Sequence, residues 1–133
     1  MSSPLMMPVT LVTASILALI CMVLAARVMH GRVKYRVAMG DADNAEMVVR
    51  MRTHANFVEY VPLILILMGI LEISEANPMV LMTIGGLLVI FRVMHAFGMP
   101  RPVPNIWRAG GALGTYLILG VVAVWGLVTV ITA

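Results

Sequence analysis

Four long apolar stretches separated by three short polar segments set the pattern of the 133-residue chain. Each stretch holds around twenty residues or more with few charges, which is the length that an α-helix needs to cross a bilayer. The pattern predicts membrane-spanning helices over 5–29, 45–71, 79–97 and 106–131. Glycine, proline, Asp and Asn residues mark the segments between them as turns. We therefore predict an all-α integral membrane protein, with one four-helix transmembrane bundle over 1–133.

The composition agrees with a protein that lies in lipid. Hydrophobic residues make up 62% of the chain and charged residues 11%, whereas about 25% of the residues of a soluble domain are charged. The pI near 9.6 would suit nucleic acid, but the basic residues flank hydrophobic spans, where they act as topology signals. We expect a lipid bilayer and no nucleic acid as a partner.

The charges of the loops predict an orientation. Lys and Arg are concentrated in the first and third loops, while the second loop carries Glu72 and Glu75 and no basic residue. The positive-inside rule then places the first and third loops in the cytoplasm. We expect a multi-pass protein of the inner membrane with both termini in the periplasm.

The second span contains a stripe of polar side chains. Arg52, Asn56, Glu59 and Tyr60 follow the spacing i, i+4, i+7, i+8 and share an arc of about 100° on a helix. A charge at bilayer depth costs at least ~2.5 to 3.5 kcal/mol, so the stripe should face protein or water. A helix end in the headgroups would explain Arg52, but Glu59 lies on the order of 10 Å deeper.

Further polar residues are predicted at the same membrane face. Arg92 and His95 share one side near the end of the third span, and Arg108 opens the fourth. Guanidinium groups pair with carboxylates in a bidentate fork, so this set suits a small zwitterion whose ammonium meets Glu59. An ion pair of Arg52 with Glu59 that only supports assembly is the alternative. The three histidines are far apart and the one cysteine has no pair, so we expect no metal site.

Two motifs resemble the MAPEG family, the membrane-associated proteins in eicosanoid and glutathione metabolism. They are RTHANFVEYVP in the second span and FRVMHAFG at the end of the third, and the likeness extends from RVKYR and the GDADN turn to the fourth helix. It is nearest to bacterial members of the microsomal glutathione transferase type. The resemblance implies a homotrimer that binds glutathione, as a co-substrate, between protomers near the cytoplasmic side.

The resemblance also implies site residues. Arg108 matches the catalytic arginine that steadies the thiolate, and the remaining matches are glutathione-binding positions: Arg32, Arg52, His54, Asn56, Glu59, Tyr60, Arg92 and His95. His54 points to a different face of its helix and would have to reach glutathione from a neighbouring protomer. Two features depart from the better-known eukaryotic members. Val48 and Val49 replace a Glu-Arg pair, and Met99 replaces a tyrosine one turn beyond the histidine.

These features predict a membrane-bound glutathione transferase that conjugates glutathione to small apolar electrophiles or reduces lipid hydroperoxides. Two alternatives remain open at this point. One is a non-catalytic glutathione- or lipid-binding member of the same fold. The other is a small four-helix exporter in which Glu59 is the proton-coupled site.

Overall fold

The structure, a computed structural model, describes residues 5–133 and consists of α-helices joined by short loops. The helices are α1 (Pro8–Tyr35), α2 (Ala45–Ile73), α3 (Pro78–Gly98) and α4 (Ile106–Thr132). All four are long and apolar enough to cross a membrane. The predicted all-α class and the four-helix architecture are confirmed.

Helix α1 differs from its predicted bounds at both ends. It begins at Pro8 rather than at residue 5, since proline suits the first turn of a helix, where its missing N–H is not needed. It ends six residues beyond the predicted residue 29, at Tyr35. The residues after Met29 contain no proline, so the helix continues through Gly31 until Arg36 adopts the left-handed conformation. Hydropathy reports where the hydrocarbon ends, and this helix projects beyond it.

The helices form a four-sided bundle. The most extensive contacts join α3 to α4 and α1 to α2, and contacts of α1 with α3 and of α2 with α4 close the other two sides. Buried apolar side chains from every helix fill the interior, among them Leu17, Met68, Leu88 and Val122. Lipid tails are as apolar as these side chains, so the bundle depends on close packing more than on exclusion of water.

Glycines let α3 and α4 approach closely. A Cβ at Gly111 would meet the backbone nitrogen of His95, and one at Gly114 would meet the ring of Phe91. At the end of α3, a Cβ on Gly98 would collide with the backbone of Arg108. The end of α3 and the beginning of α4 are therefore held in direct contact.

Glu72 caps the N-terminus of α1 from the last turn of α2. Its carboxylate accepts the backbone N–H groups of Val9 and Thr10 at 2.8 and 2.7 Å, while the residue before α1, Met7, makes no side-chain capping bond. A carboxylate at this end satisfies free N–H groups and complements the helix dipole. Glu72 thus joins two helices at the membrane face opposite the first and third loops.

We predict that Glu72→Gln destabilises the bundle while Glu75→Gln does not. Glutamine keeps one acceptor oxygen but loses the charge, and the loss of a capping group costs ~0.5 to 2 kcal/mol. Glu75 is exposed and lies three residues later, in the loop that follows α2, so it is a matched control. Reversible unfolding in mixed micelles measures the difference, and equal stability of the two variants would contradict the capping role.

Candidate functional site

A cavity of about 830 Å³ opens between α2, α3 and α4 at the end of the bundle where the third loop lies. Its polar lining includes Arg52, Asn56, His95 and Arg108, which come from three different helices. The structure therefore brings these four predicted residues around one space. Each was expected at this membrane face, and Met99 lines the same cavity.

Asn105 positions Arg108 at the beginning of α4. Its side-chain oxygen accepts the backbone N–H of Arg108 at 2.8 Å and so caps the helix. Its amide nitrogen donates to the carbonyl oxygens of Gly98 and Pro102 at 3.2 and 3.1 Å. One side chain thus joins the end of α3, the third loop and the start of α4. Sequence reasoning did not include Asn105, although an Asn before a helix is a capping signal.

Arg92 lies inside the wall of the cavity and is 1% exposed. One terminal nitrogen, Nη1, donates to the Asn56 side-chain oxygen at 2.9 Å and to the Thr115 hydroxyl at 3.4 Å. The other, Nη2, lies 3.5 Å from Nδ1 of His95, and the guanidinium carbon is 5.3 Å from the ring centroid of Phe57. No carboxylate in residues 5–133 forms an ion pair with it. Neutral dipoles and an aromatic ring therefore stabilise this buried cation.

These contacts determine which hydrogen-bonding groups face the cavity. Arginine can only donate, so the contact assigns Nδ1 of His95 as an acceptor and places the proton of a neutral ring on Nε2. The Asn56 oxygen is likewise occupied by Arg92, which leaves its amide N–H groups free. Asn56 and His95 both line the cavity, so both present donors to it.

Arg32 and His54 lie away from this cavity. Arg32 donates to the carbonyl oxygens of Ala38 and Gly40 at 3.2 and 3.3 Å and so holds the first loop. His54 faces α1, where its Nε2 is 3.9 Å from Sγ of Cys21. Neither residue lines the cavity.

Tyr60 and Glu59 lie further along α2. The Tyr60 ring packs edge-on against Tyr116, with centroids 5.0 Å apart, and Tyr116 lines the cavity. Glu59 is exposed, and so is Arg52. No ion pair joins these two residues within the described part of the chain, so the alternative of an Arg52–Glu59 pair inside one protomer does not hold.

The described residues contain no group of three or more His, Cys, Asp or Glu side chains placed to hold a metal ion. The lining of the cavity itself contains two arginines and no carboxylate. The lining of the cavity is therefore positively charged.

These observations define the class of the protein: a four-helix membrane bundle with a cationic cavity at one end. Residues 10–128 match the sequence model of the MAPEG family, and the chain belongs to that family. It is 33% identical over 102 residues to the inner membrane protein YecN of Escherichia coli strain K12, which covers 77% of each chain. YecN of E. coli O6:H1 strain CFT073 matches to the same extent. No solved structure matches the chain.

We predict that Arg92→Leu allows the neutral His95 ring to change tautomer, whereas Thr115→Val leaves the proton on Nε2. Without the Nη2 donor nothing in the wall holds Nδ1 as an acceptor, so the ring should populate both neutral tautomers. Nitrogen NMR of ¹⁵N-histidine-labelled protein in micelles measures this, with His30 and His54 as internal references. Unchanged ring nitrogen shifts of His95 in Arg92→Leu would show that Arg92 does not orient it.

Proposed function

We propose that the protein is a membrane-bound glutathione transferase. The observation that carries the proposal is the cavity in which Arg52, Arg108, Asn56 and His95 face one space without a carboxylate in its lining. Unbalanced positive charge of this kind favours an anionic ligand. Glutathione carries two carboxylates and a thiol, and membership of the MAPEG family supports it as the co-substrate.

The polar residues of the lining suggest separate roles in binding glutathione and in activating its thiol. A guanidinium such as that of Arg52 can hold a carboxylate through two parallel hydrogen bonds. The free amide N–H groups of Asn56 suit a peptide carbonyl oxygen. The guanidinium of Arg108 is a cation and favours the thiolate over the thiol, whose proton passes to water. The Met99 thioether is only a weak acceptor, so it offers the sulfur no proton donor.

The apolar lining provides a place for the second substrate. Val48 and Val49 form part of the wall from α2, and Ile106, Ala109 and Ala112 form part of it from α4. An apolar electrophile dissolved in the bilayer would meet the sulfur there. The thiolate would attack an electrophilic carbon, form a thioether and expel the leaving group with its electron pair.

Glu59 favours a larger assembly. It lies about 21 Å from the start of α2, near the middle of a helix about 43 Å long, at 1.5 Å per residue. A carboxylate exposed to lipid at that depth costs at least ~2.5 kcal/mol, so a second copy would lower the free energy by covering it. The homotrimer and the intersubunit site follow from the family resemblance. In such a trimer Arg32, His54 and Glu59 would act on glutathione held by a neighbouring protomer.

The proposed location is the inner membrane with the cavity at the cytoplasmic face and the termini in the periplasm. The basic residues of the first and third loops support this orientation. The names of the YecN relatives support the inner membrane. Glutathione would then enter from the cytoplasm and the electrophile from the bilayer.

The proposal predicts that Arg108→Leu loses the thiolate of bound glutathione. Wild-type protein should bind glutathione as thiolate at neutral pH, and the variant should still bind it but as thiol. Each unit by which the pKa of the glutathione thiol rises corresponds to ~1.4 kcal/mol of lost stabilisation. Ultraviolet difference absorbance of the bound tripeptide, with S-methyl glutathione as the blank, measures the thiolate.

Conjugation of an aryl halide by the same purified proteins completes this test. Arg108→Leu should lose both thiolate absorbance and turnover, whereas Arg36→Gln, an exposed arginine of the first loop, should retain both. Unchanged absorbance and turnover in Arg108→Leu would exclude Arg108 as the thiolate-stabilising group. Glutathione binding by the wild type without any conjugation would favour the non-catalytic alternative.

We predict that Glu59→Gln weakens glutathione binding by ~1.5 to 3 kcal/mol, the worth of a hydrogen bond to a charged group. The oligomer should persist, because the proposed partner of Glu59 is the ammonium group of the ligand. Calorimetry measures the affinity and native mass spectrometry the oligomer, with Glu75→Gln as the control. Dissociation of the oligomer with unchanged affinity per site would assign Glu59 to assembly instead.

A further inference from the structure

A second concavity, of about 390 Å³, lies between α1 and α3 on the side of the bundle opposite the α2–α4 contact. We call it the α1–α3 groove. Residues of α1 from Leu19 to Leu24 and residues of α3 from Val93 to Phe97 give it an apolar lining. Its single charged lining residue is Arg27.

Arg27 connects this groove to a polar recess. It also lines a cavity of about 470 Å³ together with Arg50, Glu46 and Pro100. The carboxylate of Glu46 is already engaged, since Lys34 lies 3.7 Å from it and the Tyr35 hydroxyl donates to it.

The two arginines of this recess lie together and have no carboxylate partner. Nη1 of Arg50 donates to the backbone oxygen of Arg27 at 2.8 Å, which holds the two residues together. Neither guanidinium forms an ion pair with a carboxylate in the described residues. The recess at the end of the apolar groove is therefore positively charged.

A third arginine and two aromatic rings lie at the same end. The guanidinium carbon of Arg101 is 3.1 Å from the ring centroid of Phe97, a lining residue of the groove. The same ring packs edge-on against Trp107, with centroids 5.4 Å apart. Aromatic and basic residues together are typical of the depth at which lipid headgroups lie.

The length of the α1–α3 groove corresponds to the thickness of one leaflet of the bilayer. From Leu19 to Arg27 the helix rises about 12 Å at 1.5 Å per residue, and half of a hydrocarbon core is about 15 Å thick.

We propose that the α1–α3 groove binds one acyl chain of an anionic glycerophospholipid, whose phosphate meets Arg27 and Arg50. Guanidinium groups pair well with phosphate oxygens, and basic recesses between membrane helices suit anionic headgroups. This site is separate from the cavity that contains Arg108 and does not depend on the proposed activity.

Native mass spectrometry of delipidated protein in detergent tests the proposal. Dioleoylphosphatidylglycerol and dioleoylphosphatidylcholine share their acyl chains, so a difference in retention reports the headgroup. Wild-type protein should bind the anionic lipid about tenfold more tightly, which corresponds to ~1.4 kcal/mol. Arg27→Gln should remove the preference, whereas Arg36→Gln at the same membrane face should keep it.

A second pair of variants tests the chain-binding part of the groove. Val23→Trp should fill the groove and reduce retention of the anionic lipid, whereas Val124→Trp on α4 should not. Both valines are about equally exposed, at 60% and 61%, so neither change should disturb folding. Equal retention of the two lipids by the wild type, or a preference that survives Arg27→Gln, would overturn the proposal. A changed oligomer in Val23→Trp with unchanged lipid retention would overturn it too, and would assign the groove to a second copy of the chain.

Discussion

The hydrogen bonds of one buried arginine determine the character of the candidate site. Arg92 is enclosed by protein and joins Asn56 on α2, His95 on its own helix and Thr115 on α4. Burial of a guanidinium without a carboxylate partner is costly unless neutral dipoles accept its hydrogen bonds. The oxygen of Asn56 and the Nδ1 of His95 supply those dipoles, and their remaining N–H groups are then available to the cavity. Because Arg92 occupies their acceptor atoms, Asn56 and His95 present hydrogen-bond donors to the cavity.

Hydrogen bonds between elements also organise the ends of the helices. Glu72 caps α1 from the end of α2, and Asn105 caps α4 while it bonds to the end of α3. Backbone groups without partners are costly where water is scarce, so each helix end near the bilayer needs such a group. The same bonds bring helices that are distant in sequence to one membrane face, and the cavity forms where three of them meet.

Hydropathy predicted the four spans well because length and apolar character decide which segments cross a bilayer, and α2, α3 and α4 lie within two residues of expectation. It could not show that α1 continues through polar residues to Tyr35. Helical spacing placed Arg52, Asn56, His95 and Arg108 at one face, but spacing does not report depth, so it could not show that Arg92 lies behind the lining. The bonds of Glu72 to Val9 and Thr10 join residues more than sixty positions apart, and no local pattern predicts them.

Gly98 contacts α4 and Gly111 contacts α3, and together with the Asn105 bonds these contacts determine how the two sides of the cavity are held. Close backbone packing resists sliding and separation, so α3 and α4 form one firmly packed pair that fixes His95 and Arg108 relative to each other. The contact between α2 and α4 is less extensive, and Arg52 and Asn56 lie on its other side. The two arginines of the lining therefore stand on separate parts of the bundle, Arg108 on the α3–α4 pair and Arg52 on α2. A ligand held by both guanidinium groups would link α2 to the α3–α4 pair.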